Sequence, residues 1–182
     1  FGKGEAGGVK IVDFATSSCV HNLANACEWG PMNDTIMGGN SSSGAFYSRA
    51  ADTLNWTGEL VFEGGGFCGI RSADISAVVQ KKVTAGQGSA TAPAFDGIRF
   101  RVLGDGQRYK VSLRTRERAE QPEASFQCQF DTREGEWLDI QLPFSAFTPV
   151  DKTVVRYGPD APELRAEDVL TVGFVLSRFS FN

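Results

Sequence analysis

Apolar residues recur at every second position in short runs along this chain, and glycine, proline and Asp-Gly turn signals cut the runs apart. Leu54, Trp56, Gly58, Leu60 and Phe62 share one face of an extended segment, and Ile98, Phe100 and Val102 alternate with Arg99 and Arg101. Tyr109, Val111 and Leu113 alternate with Lys110, Ser112 and Arg114. The period of two returns in Phe126, Cys128 and Phe130, in Leu138, Ile140 and Leu142, and in Val172, Phe174 and Leu176. A strand turns successive side chains to opposite faces, so each run has one face for a core and one for water. With residues 11–14, 45–49 and 67–71 added, roughly eight to ten short strands predict an all-β fold, a jelly-roll β-sandwich. No stretch carries the 3.6-residue period of a long amphipathic helix. The 182 residues suit one domain. A Gly-rich flexible lead-in over 1–10 and a jelly-roll domain over 11–182 are expected.

Turn chemistry suggests how the strands connect. Gly104-Asp105-Gly106 between residues 98–102 and 109–113 predicts a hairpin. Residues 126–130 are expected to turn at 131–136 into the returning strand 138–142. Residues 78–92 and 149–167 read as loops, and a short helical turn is expected near 20–27.

Between these strands lies Trp29-Gly-Pro-Met-Asn-Asp-Thr-Ile-Met-Gly-Gly39, followed by the serine-rich residues 40–44. The stretch is too polar and glycine-rich for a regular element, and Gly38-Gly39 permits φ > 0 or a close backbone approach. Trp29, Met32, Ile36 and Met37 read as its anchors. Either it plugs one end of a core, or it is a binding loop that holds Asn33, Asp34 and Thr35 toward a partner.

Several functions find no support in the sequence. A formal charge of −4 argues against nucleic-acid binding. No run of about 18 apolar residues is present to span a bilayer. Cys19, Cys27, Cys68 and Cys128 lack CxxC spacing, and His21 is the single histidine, so no zinc site and no metal are expected. Cys19 with Cys27 offers a disulfide; Cys68 and Cys128, in apolar-patterned segments, suit free thiols. Ser41-Ser42-Ser43 has no strand-turn-helix context for a nucleophile, and Gly64-Gly65-Gly66 has no following Lys-Ser/Thr or helix to cradle phosphate. With no catalytic constellation and no cofactor motif, the chain is not expected to be an enzyme.

The outward face of the expected hairpin is basic. Arg99, Arg101, Lys110 and Arg114 would line up across two paired strands, where like charges repel unless water or an acidic partner relieves them. Such a face is either solvated or a surface for anionic groups. Sequons at Asn33, Asn40 and Asn55 keep an extracellular reading open. Trp29, Trp56 and Tyr47 are candidates for a sugar platform, which makes a carbohydrate-binding module the alternative function, although Trp56 lies on the apolar side of its strand.

Taken together, several segments resemble one family, the complex I intermediate-associated protein 30 family. They are Trp29 with Asn33-Asp-Thr-Ile-Met-Gly-Gly39, Phe62-Glu-Gly-Gly-Gly-Phe67 with Ile70-Arg71-Ser72, and Phe95-Asp-Gly-Ile98 leading into Gly104-Asp-Gly-Gln-Arg-Tyr-Lys110. Phe126 to Phe130, Trp137, Leu142-Pro-Phe-Ser-Ala-Phe147 and Leu176-Ser-Arg-Phe179 continue the likeness in order. The resemblance implies a galactose-binding-like jelly roll and a non-catalytic assembly factor or accessory subunit of an organellar membrane complex. It also implies peripheral membrane attachment, no nucleic acid and no cofactor. The wording of residues 33–39 and the late Ser-Arg-Phe element are closer to the photosystem-biogenesis branch. That favours photosystem subunits and a thylakoid-associated chloroplast location, with respiratory complex I and the mitochondrion next. Family members continue past the Ser-Lys-Phe-type element for a strand or two that this sequence does not reach, and Cys68 replaces a usual small residue. The expected partner contacts are Asn33, Asp34, Thr35, Met37, Arg71, Arg99, Arg101, Lys110 and Arg114.

Overall fold

The computed structural model describes residues 8–12, 28–77, 79, 97–116, 125–151, 154–156, 158 and 161–178. Two antiparallel sheets lie face to face. The smaller holds β3 (Ser42–Ser48), β4 (Thr53–Glu59), β1 (Gly8–Val12), β6 (Gly97–Leu103) and β9 (Trp137–Pro143), in that order. The larger holds β11 (Val154–Val155), β10 (Thr148–Asp151), β8 (Ser125–Asp131), β7 (Arg108–Thr115), β12 (Val169–Ser177), β5 (Phe67–Ser72) and β2 (Trp29–Pro31). This is the jelly-roll β-sandwich that the period-two runs predict.

The alternating residues meet between the sheets. Leu54, Trp56, Phe100 and Val102 come from the five-stranded sheet; Ile70, Val111, Leu113, Phe126 and Phe174 come from the seven-stranded one, and all are buried. Aromatic edges join the layers: Phe100 meets Phe130 at 5.0 Å and Phe174 at 5.2 Å, and Trp56 meets Tyr109 at 5.3 Å. Such T-shaped pairs add attraction beyond the area they bury.

The connections differ from the turn signals. β6 pairs with β1 and β9, whereas β7 pairs with β8 and β12, so residues 104–107 cross between sheets instead of closing a hairpin. Side chains clamp this crossing. The Thr132 hydroxyl donates to Gln107 O at 2.7 Å, Gly106 N donates to Thr132 Oγ1 at 3.1 Å, and the Tyr109 hydroxyl donates to Asp105 Oδ1 at 2.9 Å. The chain crosses again between β8 and β9, which are likewise not paired. Residues 149–167 contain β10's end, β11 and a 3-10 turn at Ala166–Asp168 rather than a plain loop. β1 takes in Gly8 to Lys10, expected in the lead-in; its backbone pairs with residues 54–57 of β4, a contact that needs no apolar pattern. Phe62 lies beyond β4 and is 59% exposed, not on the inward face. Cys68 and Cys128 are free thiols, as their patterning suggests. Cys19 and Cys27, whose spacing leaves a disulfide open, His21 and the helical turn expected near 20–27 lie outside the described residues.

Candidate functional site: a carboxylate-braced loop and a basic sheet face

The loop between β2 and β3 is built around one buried carboxylate. After Asn33, a 3-10 turn spans Asp34–Met37 and ends at Gly38, whose φ of 86° is left-handed and suits glycine. Asp34 is fully buried. Its Oδ1 accepts from Ser41 N at 3.0 Å; its Oδ2 accepts from Ser41 Oγ at 2.7 Å, Gly66 N at 2.6 Å and Phe67 N at 3.2 Å. Burial pushes this carboxyl up, but the hydrogen bonds from Ser41, Gly66 and Phe67 outweigh it and hold it below the ordinary range. Glycines let the backbone close around it: a Cβ at Gly39 would sit 2.3 Å from Asp34 Cγ, and one at Gly65 would sit 2.1 Å from Oδ2.

Three further ties hold the loop to β5 and to the 61–66 segment. Met32 N donates to Gly69 O at 2.8 Å. Asn33 Oδ1 accepts from Ser43 Oγ at 2.6 Å and from Gly69 N at 3.4 Å. Val61 N donates to Ser41 Oγ at 3.0 Å.

Held this way, the turn presents apolar side chains to solvent. Ile36 is 86% and Met37 63% exposed, and Phe62 stands on the adjoining segment, where a Cβ at Gly64 would lie 3.1 Å from Gly38 O. Arg178 Nη1 donates to Phe62 O at 2.8 Å and fixes that segment's far side. Of the four expected anchors, Trp29 packs inward, 5.9 Å from Phe174, whereas Met32 covers the outer side of the sheet, its Cε 3.3 Å from where a Cβ at Gly69 would be and 3.4 Å from one at Gly173. Ile36 and Met37 do not pack, because the carboxylate turns the backbone's polar side inward and leaves their side chains outside.

The expected contact residues therefore part ways. Thr35 and Met37 are exposed, Asn33 is half-buried and hydrogen-bonded, and Asp34 is sealed inside, so it cannot touch a partner. Ile36 and Phe62 belong to the same tip and were assigned to packing by pattern alone. Their signal was adjacency to Gly38-Gly39 and Gly64-Gly65-Gly66, where strands end.

The basic row is split as well. Arg99 and Arg101 project from the five-stranded sheet, where Arg101 lies 5.7 Å from the Trp137 ring centroid; Arg71, Lys110 and Arg114 project from the opposite face of the sandwich. The four residues of the expected hairpin cannot form one surface. Lys110 is also buried, at 6% exposure, and burial pulls its ammonium down to about 8.

A lysine with a depressed pKa binds fewer protons folded than unfolded once pH exceeds that value, so stability rises with pH from there. Cys68, pushed up to about 11 by burial and by the Asp34 charge, and Cys128, also raised by burial, oppose this increasingly as pH approaches the ordinary thiol value of 9.0. Unfolding by urea is thus expected to show stability increasing between about pH 7.5 and 8.5, and Lys110→Met is expected to flatten that slope. A wild-type slope of zero or below over this interval refutes the burial account.

The candidate sugar platform is not assembled. Trp56 is core, Trp29 is packed on Phe174, and the half-buried Tyr47 donates its hydroxyl to Asp52. Among the described residues no group of three or more His, Cys, Asp or Glu is placed to hold a metal ion, and no helix is long and apolar enough to cross a membrane.

Against known proteins, the family model described as complex I intermediate-associated protein 30 (CIA30) matches residues 12–181. Comparison with curated proteins returns no match. Among solved structures, the chain is similar to the family 11 carbohydrate-binding module of the cellulosomal cellulase Lic26A-Cel5E of Clostridium thermocellum. The TM-score is 0.50 at 12% identity, over 82% of this chain and 78% of that one. A family 11 module from Clostridium thermocellum in complex with a β-1,3-1,4-mixed-linked tetrasaccharide gives 0.49 at 12% identity, over 93% and 86%. At that identity the first likeness is one of fold.

Proposed function

Because the chain belongs to the complex I intermediate-associated protein 30 family, we propose that it acts without catalysis, as an assembly factor or accessory subunit of a membrane-embedded energy-converting complex. The observation that carries the contact surface is the braced tip. Ile36, Met37 and Phe62 stand in water on a backbone fixed by Asp34, Ser41 and Arg178. Rigid apolar anchors lose little conformational freedom on binding, which is what an interface centre requires. The chain attaches peripherally, through protein subunits. The family's name points to complex I as partner. The wording of residues 33–39 and of Leu176-Ser-Arg-Phe179 favours photosystem subunits and a thylakoid location.

Tagged protein mixed with solubilised photosystem, and separately with solubilised complex I, is expected to co-migrate with one of them on a native gel. The variant Ile36→Asp/Met37→Asp/Phe62→Asp should keep the wild-type melting temperature yet bind more than about a thousandfold more weakly, since each of the three buried apolar side chains contributes roughly 1.5–3 kcal/mol. Co-migration with neither complex ends the proposal, and undiminished binding by the variant removes the tip from it.

A further inference from the structure

Strand β9 is an open edge. The five-stranded sheet ends at it, and among the described residues its backbone pairs with β6 alone. The other sheet margins are short or tied down. β2 has three residues and β11 two, and Ser43 Oγ on β3 donates to Gly69 O of the larger sheet at 2.5 Å. β9 runs for seven residues, Trp137–Pro143, and a row of unmet N–H and C=O groups of that length is a template for another strand. Its side chains alternate sharply: Trp137, Asp139, Gln141 and Pro143 are exposed, Leu138 and Ile140 are half-buried, and Leu142 is buried.

The pairing with β6 sets which backbone groups are left over. Leu142 O points toward β6, 2.4 Å from where a Cβ at Gly97 would stand, and Pro143, opposite Gly97, has no N–H to give. The N–H and C=O groups of Leu138, Ile140 and Leu142 therefore face β6, and those of Trp137, Asp139 and Gln141, with the Pro143 carbonyl, face away. The sequence Trp-Leu-Asp-Ile-Gln-Leu-Pro keeps its order of polar and apolar residues when reversed about Ile140. A second β9 laid antiparallel about Ile140 sets Asp139 of one copy opposite Gln141 of the other, and the outward backbone groups of these two residues exchange hydrogen bonds. Leu138 then meets Leu142, and Trp137 meets Pro143 and donates its N–H to the proline carbonyl. Slipping the register by two residues brings the two Asp139 carboxylates together or leaves Asp139 facing Pro143. Slipping it by one sets inward side chains against outward ones.

We propose that this edge binds a second copy of the chain, joining the two five-stranded sheets across a twofold axis at Ile140. Ile140 meets its own copy, and the half-buried Leu138 and Ile140 gain cover that β9 lacks as a margin. Any extended segment offers the backbone bonds; matching on both faces at once is what selects this strand as its own partner. The Ile36–Phe62 tip lies beside β3, at the opposite edge of the same sheet, so the pairing leaves it free. The inference stands or falls independently of the assembly reading.

Sedimentation velocity of the full chain at rising concentration tests it. A monomer–dimer equilibrium is expected, the dimer having twice the 19.6 kDa of one chain. Gln141→Glu places a carboxylate opposite Asp139 of the other copy, twice in each dimer, and should weaken dimerisation about two- to thirtyfold; Gln141→Lys should tighten it by a similar factor. Within one chain the signs reverse, because position 141 stands opposite Arg99 of β6. The first variant should therefore hold or raise the melting temperature of the monomer, and the second should lower it. Gln141→Pro removes an N–H that points away from β6 and should leave the chain monomeric at every concentration; the two charge variants cover the case in which it misfolds. A wild type that stays monomeric throughout, dimerisation that follows monomer stability in the two charge variants, or a dimer that survives Gln141→Pro overturns the proposal.

Discussion

Replacing Asp34 with alanine is expected to lower the unfolding free energy by about 4 kcal/mol, since each buried donor left without an acceptor costs roughly 1–3 kcal/mol. Four donors converge on this carboxylate: Ser41 N, Ser41 Oγ, Gly66 N and Phe67 N. Three are backbone amides that cannot turn away, and a methyl group offers them nothing. For a domain of this size the loss corresponds to a fall of roughly 10 °C in melting temperature. Asp34→Asn keeps the shape but swaps one acceptor for a donor aimed at other donors, so it should lie close to alanine rather than to wild type. The dependence on pH has a definite sign. The folded carboxyl titrates below its ordinary value of 3.8, so its contribution is complete above that pH and is lost as pH falls through the folded value. Urea denaturation of both proteins should therefore show a gap that is constant near neutrality and narrows in acid below about pH 4. A gap under 1 kcal/mol at pH 7 would mean that the loop is held by its other contacts.

That carboxylate also marks where pattern reading succeeds and where it stops. Period two identified most of the strands because an inward Tyr109, Val111 or Leu113 is the same signal whichever strand lies alongside. For the same reason it could not tell a hairpin from a crossing. β6 and β7 both feed one core from opposite sides, so the alternation runs through residues 104–107 unchanged while the chain passes between sheets. The turn signal was local, whereas the clamp that sets the crossing, Thr132 on Gln107 and Gly106, comes from well along the chain. Arg99 and Arg101 were thus placed beside Lys110 and Arg114 when a whole core separates them. The loop shows a related failure. Asp34 reads as exposed because an isolated carboxylate in a glycine-rich stretch usually is, and its partners Gly66 and Phe67 are more than thirty positions away. What was legible was the importance of the stretch and its need for glycine. The roles within it, polar inside and apolar outside, depend on contacts that no periodicity encodes.

Gly39→Ala is expected to be as damaging alone as the loss of Asp34, and far less damaging in the protein that already lacks Asp34. The added Cβ would fall 2.3 Å from Asp34 Cγ and 2.4 Å from Oδ1, inside any tolerable contact, and the carboxyl cannot move without releasing its donors. Displacing it costs the same hydrogen bonds that Asp34→Ala removes, so the single variant should lose about 4 kcal/mol. With Asp34 cut back to alanine, the three atoms nearest to the new Cβ are gone. Two changes that act on one group do not add, and contacting residues couple by roughly 0.5–3 kcal/mol. A double-mutant cycle by urea denaturation should place Asp34→Ala/Gly39→Ala within about 1 kcal/mol of Asp34→Ala alone, a coupling of about 3 kcal/mol or more, at or above the top of that range. Gly44→Ala, where a Cβ meets nothing within 4 Å, is the control and should show no coupling to Asp34. Full additivity for Gly39 would show that its glycine serves the backbone rather than the carboxylate, and the account of the loop as packed around one buried charge would fail with it.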